Sequence, residues 1–523
     1  MQAIDPQARD GRDAPEAPEA DICLVLEGTY PFVTGGVSAW VHEIIRSQSE
    51  RSFTLLCLYA GDMDLTPRYT LPPNVIGLKA VNVHALPKGA AFFPRADKLC
   101  HALEAPLTAM MTQTAGLEVF KSIEAALAPY HRHLGARTLL NSKAAFDLIC
   151  RMYDRAHSDL SFIDYFWSWR TLIGGLYTGL LADLPPARVY HAVSTGYAGL
   201  IAVRGWLERG RPVLLSEHGL YTNERRVELA MASWLHDNTP PTLSLGERPQ
   251  DLRDLWVNTF ASYARACYEA SAQIVTLHNV NRRLQIGDGA PPARITIVPN
   301  GIDVAGYAAL RERDTLQTYR VALIGRVVPI KDIASFIQAC HLMRDQLPGA
   351  RFEIMGPTGE EPAYFERCKG LVSAFGLEDH VIFRGKVDVR REMDGIDLMV
   401  LSSISESQPL TILEAGAAGI PSVTTDVGGC REMVFGAADE QPPLGPGGDV
   451  VPVADPQALA SAVTRLLTRP AEYTRCARAI RERVRRYYDL AEMHAAYRSI
   501  YDRLIEAETG QALPPPVSAE AEA

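Results

Sequence analysis

The stretch SSISESQPLTILEAGAAGIPSV, from Ser402 to Val423, decides the fold of the second half of this chain. The apolar run DLMVLSS that leads into it is typical of a buried strand, and TILEAGAAG is typical of a helix that opens after a loop. The first turn of a helix presents unpaired backbone N–H groups and the positive end of a dipole. This order of strand, loop and helix therefore predicts an anion site suited to a diphosphate.

Two glutamates, Glu406 and Glu414, stand in this stretch with seven residues between them. Glu406 falls in the loop, where its carboxylate could accept hydrogen bonds from hexose hydroxyls. Glu414 falls one turn into the helix, within reach of ribose hydroxyls. A carboxylate at a helix start is also typical of a side chain that interacts only with the dipole. The pair, framed by proline-containing segments, favours ligand binding.

A second loop, LIGRVVPIKD, carries positive charge after the first strand of the second half. Gly325 permits close approach of the backbone to a ligand. Arg326 and Lys331 lie five residues apart and could converge on a diphosphate, the first as a planar fork and the second as a point charge. Solvated loop charges are the alternative interpretation of this pattern.

Two weaker patterns stand in the first half. Gly35 and Gly36 precede a helix in TYPFVTGGVSAW, where doubly wound folds bind ligands, although ordinary turn glycines have the same spacing. His218 ends an apolar strand in LLSEHGLYTNERR. A histidine at a strand end is often structural, but the charged residues around it favour a functional role. These neighbours are Glu217, Arg225 and Arg226.

Strand-like runs alternate with amphipathic segments along both halves, which predicts an α/β chain of two Rossmann-like, doubly wound domains. An Ala-, Leu- and aromatic-rich segment at about 86–184 predicts a helical insertion in the first domain, with packing or partner binding as its role. The predicted organisation is a disordered tail at 1–20, an N-terminal domain at 21–297, a C-terminal domain at 298–486, a helix at 487–508 and a disordered tail at 509–523.

Composition excludes several classes of protein. The formal net charge of −10 does not indicate the excess of basic residues that is typical of nucleic-acid-binding proteins. The nine cysteines form no CxxC pair, which argues against a zinc knuckle or a disulfide framework and fits a reducing cytosol. No signal peptide and no apolar run of about 18–20 residues is present, so we expect a cytoplasmic protein.

The second half resembles the GT4 glycosyltransferases, a retaining group with the GT-B fold, through VPNGID, the G-R…K loop, the G-K-V segment at Gly385 and the two spaced glutamates. The resemblance implies two domains facing a cleft, a UDP-sugar donor and no cofactor or metal. It implies catalytic roles for His218, Arg326, Lys331 and Glu406. The implied nucleotide-sugar-binding residues are Gly35, Gly36, Gly325, Arg326, Lys331, Gly385, Val387, Glu406, Ser407, Pro409, Leu410, Thr411 and Glu414. Further candidate contacts to donor or acceptor are Glu217, Arg225 and Arg226.

The first half is similar to the glycosyltransferases of Pel exopolysaccharide synthesis through ICLVLEGTYPFVTGGVSAWVHEII, the helical insertion and SEHGLYTNERRVELA. This resemblance implies transfer of a hexose or N-acetylhexosamine to a growing exopolysaccharide. It also implies a cytosolic enzyme that docks on an inner-membrane synthesis and export complex through partner proteins. The aromatic segment from Phe162 to Trp169 is the candidate contact.

Four other interpretations remain open from the sequence. The triplet Asp62-Met63-Asp64 matches the metal-binding signature of GT-A transferases, although short acidic triplets are frequent by chance. A UDP-sugar 2-epimerase shares the two-domain architecture. A binding subunit without catalysis, or another GT4 activity such as lipid-linked glycan or glycogen-type synthesis, would also fit. In the last case, the arginine-rich segment at 478–488 would be the candidate lipid contact rather than a solvated helix.

Overall fold

The computed structural model describes residues 18–112, 115–156, 160–231, 251–307, 310 and 319–510. The predicted tails therefore lie mostly outside the described residues. Among the described residues, the first strand begins at Ala20 and the last helix extends to Gly510, so each enters the predicted tail by one or two residues.

The first half of the chain builds a seven-stranded sheet. Its strands are β1 (Ala20–Glu27), β2 (Phe53–Tyr59), β3 (Val75–Asn82), β4 (Ala187–Ala192), β5 (Val213–Glu217), β6 (Gln273–Thr276) and β7 (Ile295–Ile297). They follow the order β3-β2-β1-β4-β5-β6-β7, and β1 pairs in parallel with both β2 and β4. This confirms the predicted doubly wound sheet. The sequence did not predict β3, which is half-exposed along most of its length, or β7, which is three residues long.

Helices connect these strands. They are α1 (Gly36–Ser47), α2 (Ala96–Thr112), α3 (Leu117–Leu127), α4 (Ala136–Leu139), α5 (Lys143–Ala156), α6 (Phe162–Leu181), α7 (Tyr197–Arg209), α8 (Tyr221–Met231), α9 (Leu252–Ala270) and α10 (Asn279–Gly287). Five of them, α2 to α6, lie between β3 and β4, which confirms the predicted helical insertion. The predicted apolar face of α1 is buried at Trp40, Val41, Ile44 and Ile45.

The second half builds a six-stranded sheet in the order β10-β9-β8-β11-β12-β13. Its strands are β8 (Arg320–Ile324), β9 (Arg351–Met355), β10 (Val381–Gly385), β11 (Leu398–Leu401), β12 (Ser422–Thr425) and β13 (Gly448–Val451). Five of these were predicted. The sixth, β13, was not, because it begins with glycine and contains Asp449.

The helices of this half are α11 (Ile333–Met343), α12 (Pro362–Ala374), α13 (Val389–Glu392), α14 (Leu410–Ala417), α15 (Cys430–Phe435), α16 (Pro456–Thr468), α17 (Pro470–Tyr487) and α18 (Leu490–Gly510). They cover both faces of the sheet. Side chains alternate along a strand, so Val321 and Leu323 of β8 enter one apolar cluster and Ala322 and Ile324 enter the other. Burial on both faces explains why these strands read as continuous apolar runs.

The chain divides into two compact units. The first comprises Met1–Leu215, Leu229–Ala272 and Asp502–Ala523, and the second comprises Ser216–Glu228 and Gln273–Tyr501. Among the described helices, none combines the length and the apolar character needed to cross a bilayer. All nine cysteines are free, and eight of them are buried.

Candidate active site

The loop after β11 carries Glu406 and is fixed at its base by two buried serines. The hydroxyl of Ser402 donates to the backbone oxygen of Lys331 at 2.9 Å. The hydroxyl of Ser403 donates to Oε1 of Glu406 at 2.7 Å. The end of one strand therefore anchors both the loop that carries Lys331 and the loop that carries Glu406.

Lys331 and Glu406 form an ion pair in this arrangement. Nζ of Lys331 pairs with Oε1 of Glu406, and the two side chains are only 19% and 13% exposed. Lys331 ends a short 3-10 turn, Pro329–Lys331, and Asp332 then caps α11 by accepting from the N–H of Ser335. An anionic ligand that binds Lys331 therefore has to compete with Glu406.

Both side chains line a cavity of about 500 Å³, a volume typical of small-molecule sites. All the residues that line it belong to the second compact unit. Four of the predicted site residues line this cavity, namely Arg326, Lys331, Glu406 and Ser407. The other lining residues are Gly219, Leu220, Asn223, Glu224, Val280, Asn281, Leu284, Ile330, Ile404, Ser405, Val427 and Gly428.

Arg326 is the more exposed of the two cations. Its Nη1 donates to Oε2 of Glu360 at 2.7 Å, and about half of each side chain is exposed. An ion pair with that exposure is weak, of the order of 0–1 kcal/mol. Arg326 can therefore exchange Glu360 for a phosphate oxygen at little cost.

In this region the position at which the backbone requires glycine is Gly356, which the sequence did not single out. A Cβ at Gly356, where φ is +155°, would lie 2.0 Å from the backbone oxygen of Gly325. A Cβ at Gly325 would meet only the side chain of Lys331, at 3.7 Å, which is an ordinary contact. The backbone N–H of Gly356 also donates to the backbone oxygen of Gly385 at 2.8 Å, which ties β9 to the end of β10.

Glu414 lies in α14, and its carboxylate interacts electrostatically with the side chain of Tyr307. Burial raises the pKa of Glu414 to about 7, although the interaction with Tyr307 opposes this shift. The guanidinium of Arg390 lies 5.3 Å from the ring centroid of Tyr307, and its Nε donates to the backbone oxygen of Gly306 at 2.9 Å. The sequence did not identify Tyr307, because nothing local distinguishes it from a core tyrosine.

The turn after β12 packs directly against the Glu406 loop. Gly428 has φ of +51°, and a Cβ there would lie 2.2 Å from the backbone oxygen of Glu406. The N–H of Gly429 donates to the backbone oxygen of Ser407 at 2.7 Å. Neither glycine was predicted as a site residue, although the Gly-Gly pair after an apolar strand was a usable signal.

The segment after β5 reaches the cavity through Gly219 and Leu220. Burial lowers the pKa of the neighbouring His218 to about 4, so its imidazole is neutral at ordinary pH. The backbone oxygen of His218 accepts a hydrogen bond from the hydroxyl of Ser407. The structure thus brings the predicted His218 next to the loop of the predicted Glu406.

The charged neighbours of His218 lie outside the cavity lining. Glu217 is 1% exposed and accepts from Nε2 of Gln285 at 2.8 Å. Arg225 lies over the ring of Tyr221, with 5.0 Å from its Cζ to the ring centroid, and Arg226 pairs with Asp288 at 3.5 Å. The polar side chains that this segment contributes to the cavity wall are those of Asn223 and Glu224, which the sequence did not single out.

The remaining predicted donor-binding positions lie at the start of α14 and just after β10. Pro409 is the N-cap of α14, and Leu410 and Thr411 form its first turn. Val387 follows β10 and packs, as Leu410 does, against the apolar cluster that contains Tyr307. The motif VPNGID joins the same region, because the N–H of Asn300 donates to Oε1 of Gln408 at 2.7 Å.

Gly35 and Gly36 belong to the first compact unit, at the start of α1. A Cβ at either position would meet no atom within 4 Å, so packing of the protein itself does not require glycine there. Asp64, in the acidic triplet, accepts from the N–H of Thr66 at 2.9 Å and from Arg68 at 2.8 Å. These hydrogen bonds make it a turn residue, and they lower its pKa.

A family model described as Domain of unknown function (DUF3492) matches residues 20–293, more than half of the chain. The chain belongs to this family. A second model, described as Glycosyl transferases group 1, matches residues 318–469 of this DUF3492 protein. Arg326, Lys331, Glu406 and Glu414 all fall within that range, so the charged side of the cavity lies in the part of the chain that this model matches.

The DUF3492 chain is similar to parts of several curated proteins. It is 32% identical over 227 residues to a D-inositol 3-phosphate glycosyltransferase of Kineococcus radiotolerans, covering 39% of this chain and 51% of the relative. It is 27% identical over 250 residues to a glycogen synthase of Mycobacterium tuberculosis, covering 47% of this chain and 57% of the relative. The chain thus spans about half the length of the curated relatives it matches.

Solved structures share the whole fold. A sucrose-phosphate synthase from Thermosynechococcus elongatus matches with a TM-score of 0.55 and 17% identity, over 93% of this chain and 99% of that one. Anabaena HepE in complex with UDP and glucose matches with a TM-score of 0.54 and 13% identity, over 92% and 99%. At this level of identity the likeness shows the fold, which confirms the predicted GT-B architecture.

Proposed function

We propose that this chain is a glycosyltransferase that uses a UDP-sugar donor and retains the anomeric configuration of the sugar it transfers. The observation that carries the proposal is that Arg326, Lys331 and Glu406 line one cavity, in the part of the chain that the group 1 glycosyltransferase model matches. Cationic side chains suit a diphosphate, and a carboxylate suits sugar hydroxyls. The complexes of HepE with UDP and with UDP-glucose support UDP as the nucleotide.

In this proposal each part of the donor has its own residues. Arg326 and Lys331 bind the diphosphate, and Glu406 binds hydroxyls of the donor hexose. Glu414, next to Tyr307, accepts hydrogen bonds from the ribose. The segment from Gly385 to Val387 holds the base.

Catalysis in this proposal consists mainly of stabilising the departing UDP. The bond between the anomeric carbon and the β-phosphate oxygen breaks, and negative charge develops on the diphosphate next to Lys331 and Arg326. Preorganised charges aimed at a developing charge are usually the largest single contribution to catalysis. Together these two cations do the work that a divalent metal does in other transferases.

The acceptor hydroxyl then attacks the oxocarbenium-like sugar on the face that UDP leaves, and its proton passes to the departing phosphate oxygen. This path preserves the configuration without a carboxylate nucleophile, in contrast to retaining glycosidases. His218, at the donor sugar, contributes as a neutral hydrogen-bonding group, since burial keeps its pKa at about 4.

For the biological acceptor we propose a growing exopolysaccharide of the Pel type, made in the cytosol, on the resemblance of the first half of the chain to the PelF glycosyltransferases. Export would then require an inner-membrane complex. The exposed aromatic side chain of Trp167, 61% exposed on α6, is a candidate contact for it. Failure of the protein to co-purify with any membrane component in mild detergent would contradict this part of the proposal.

Calorimetric titration with UDP, ADP and GDP tests the donor assignment. We expect UDP to bind most tightly, and Lys331→Ala to weaken UDP binding while Lys369→Ala, on the exposed side of α12, leaves it unchanged. Equal affinity for the three nucleotides would contradict the assignment of UDP. Conversion of a UDP-sugar to its epimer without an acceptor would replace transfer by the 2-epimerase alternative.

A further inference from the structure

Two side chains and one backbone oxygen meet at the hydroxyl of Ser407, beside the proposed donor cavity. Oγ of Ser407 lies 3.4 Å from Nδ2 of Asn281 and 3.4 Å from Nε2 of His278. The same hydroxyl bonds to the backbone oxygen of His218. All four residues belong to the second compact unit. One serine hydroxyl therefore joins the Glu406 loop, the start of α10 and the segment that follows β5.

The direction of each hydrogen bond follows from the chemistry of the groups. Nδ1 of His278 caps α10 by accepting from the N–H of Asn281 at 3.3 Å, so the proton of the neutral ring is on Nε2. Burial lowers the pKa of His278 to about 4, which keeps the ring neutral. Nδ2 of Asn281 then donates to the hydroxyl oxygen of Ser407, and Nε2 of His278 donates to Ser407 as well, where both the hydroxyl and the backbone oxygen are acceptors. The hydroxyl proton of Ser407 has to go to the oxygen of His218.

The backbone of Ser407 is held as well. Its oxygen accepts from the N–H of Gly429 at 2.7 Å. A Cβ at Gly429 would lie 2.9 Å from Cδ2 of His278, so the turn that carries this glycine also packs against the imidazole. Ser407 cannot rotate away from His218 without breaking several of these contacts together.

We propose that Ser407, His278 and Asn281 are positioning residues, which hold the backbone at His218 and thereby orient the His218 side chain at the donor sugar. The proposal rests on the proposed function, because the orientation of His218 matters only if a sugar reacts beside it. It assigns the hydroxyl of Ser407 to the protein itself rather than to the nucleotide. The consequence is that loss of this hydroxyl changes the chemical step and leaves UDP binding unchanged.

The test compares variants of the full-length protein by kcat for the donor and by calorimetric Kd for UDP. We expect Ser407→Ala to lower kcat about 10-fold or more, because a misplacement of about 1 Å can cost 10²-fold in rate. Ser407→Thr keeps the hydroxyl and should recover most of the lost rate. His278→Leu should act as Ser407→Ala does, whereas His278→Gln replaces the donor at Nε2 and should be milder. Ser461→Ala, on an exposed face of α16, is the matched control.

The results separate the proposal from a purely structural role and from failure of the proposed function. A lower kcat with an unchanged UDP Kd, recovered by Ser407→Thr, supports the positioning role. Wild-type kcat in Ser407→Ala overturns it. Parallel losses of kcat, UDP affinity and melting temperature in Ser407→Ala, without recovery in Ser407→Thr, also overturn it. If the wild type binds no UDP and turns over no UDP-sugar, the proposed function is wrong, and this proposal is then wrong as well because it rests on that function.

Discussion

Lys331 and Glu406 stand 75 residues apart in the sequence and form an ion pair at the wall of the cavity. Each comes from a loop at the carboxyl end of a parallel strand, β8 for Lys331 and β11 for Glu406, and these two strands are neighbours in the sheet. In the proposed function one member binds the diphosphate and the other binds the hexose. The pair therefore links the two halves of donor recognition.

Glu406→Gln should separate nucleotide binding from turnover. The change keeps the shape of the side chain but removes the charge that competes with a diphosphate for Lys331. We expect UDP, which has no hexose, to bind more tightly, while kcat for the UDP-sugar falls by about 10-fold or more because a charge-assisted bond to the hexose is lost. Calorimetry with UDP and a UDP-release assay measure the two quantities. A parallel fall in both would show that Glu406 does not compete for Lys331.

Lys331→Ala should lower kcat by about 10²-fold or more, the effect of losing one preorganised charge at a developing anion. The rate is measured as UDP release at saturating donor. Lys369→Ala is the control, since Lys369 is a half-exposed lysine that pairs with Glu366 on α12. Similar rates for the two variants would remove Lys331 from the mechanism.

Gly428→Ala should destabilise the protein and inactivate it. Its φ of +51° costs a residue with a side chain about 1–2 kcal/mol, and the added Cβ would also collide with the backbone oxygen of Glu406. Gly370→Ala is the matched control, because Gly370 lies inside α12 with nothing within 4 Å of an added Cβ. That change should stabilise the protein by about 0.5–1 kcal/mol. Thermal unfolding and UDP release measure both variants, and tolerance of Gly428→Ala would contradict the close packing of the two loops.

UDP binding should release a proton near pH 6. Burial raises the pKa of Glu414 from an ordinary 4.5 to about 7, so the carboxyl is mostly protonated at pH 6 before the ligand binds. Ribose hydroxyls that donate to this group favour its ionised form, so UDP affinity should rise with pH up to about 7 and level off above it. Calorimetry in two buffers of different ionisation enthalpy measures the proton release.

The contribution of Glu414 to the free energy of unfolding has the opposite dependence on pH. Because the folded pKa of Glu414 is raised, its contribution is fully present below pH 4.5 and is lost as the pH rises through about 7. Glu414→Gln should remove both effects, the proton release on UDP binding and this part of the pH dependence of unfolding. Proton release that persists in Glu414→Gln would assign the titration to another group.

The sequence predicted the elements whose signals are local. Strand β11, the loop with Glu406 and helix α14 form one continuous pattern, and the fold of the second half follows from it. Strands β3 and β13 were missed because neither has a continuous apolar run: β3 is half-exposed along most of its length, and β13 begins with glycine and aspartate. Their pairing partners in the sheet, rather than their own residues, make them strands.

Contacts between distant parts of the chain could not be predicted. Tyr307 meets Glu414 across more than a hundred residues, and His278 meets Ser407 across 129. Gly356 is required by the backbone of Gly325, which a single sequence does not reveal. Residue type and spacing indicate which groups can bind a ligand, but only packing shows which of them hold the others in place.

The most direct test of the central claim is UDP release by the purified protein from a panel of UDP-sugars, with and without EDTA, beside Glu406→Ala. The account predicts turnover of one donor that resists EDTA and is lost in the variant. Turnover abolished by EDTA would contradict the assignment of leaving-group stabilisation to Arg326 and Lys331, and it would bring Asp62 and Asp64 back as candidate metal ligands. Undiminished turnover in Glu406→Ala would contradict the assigned site itself.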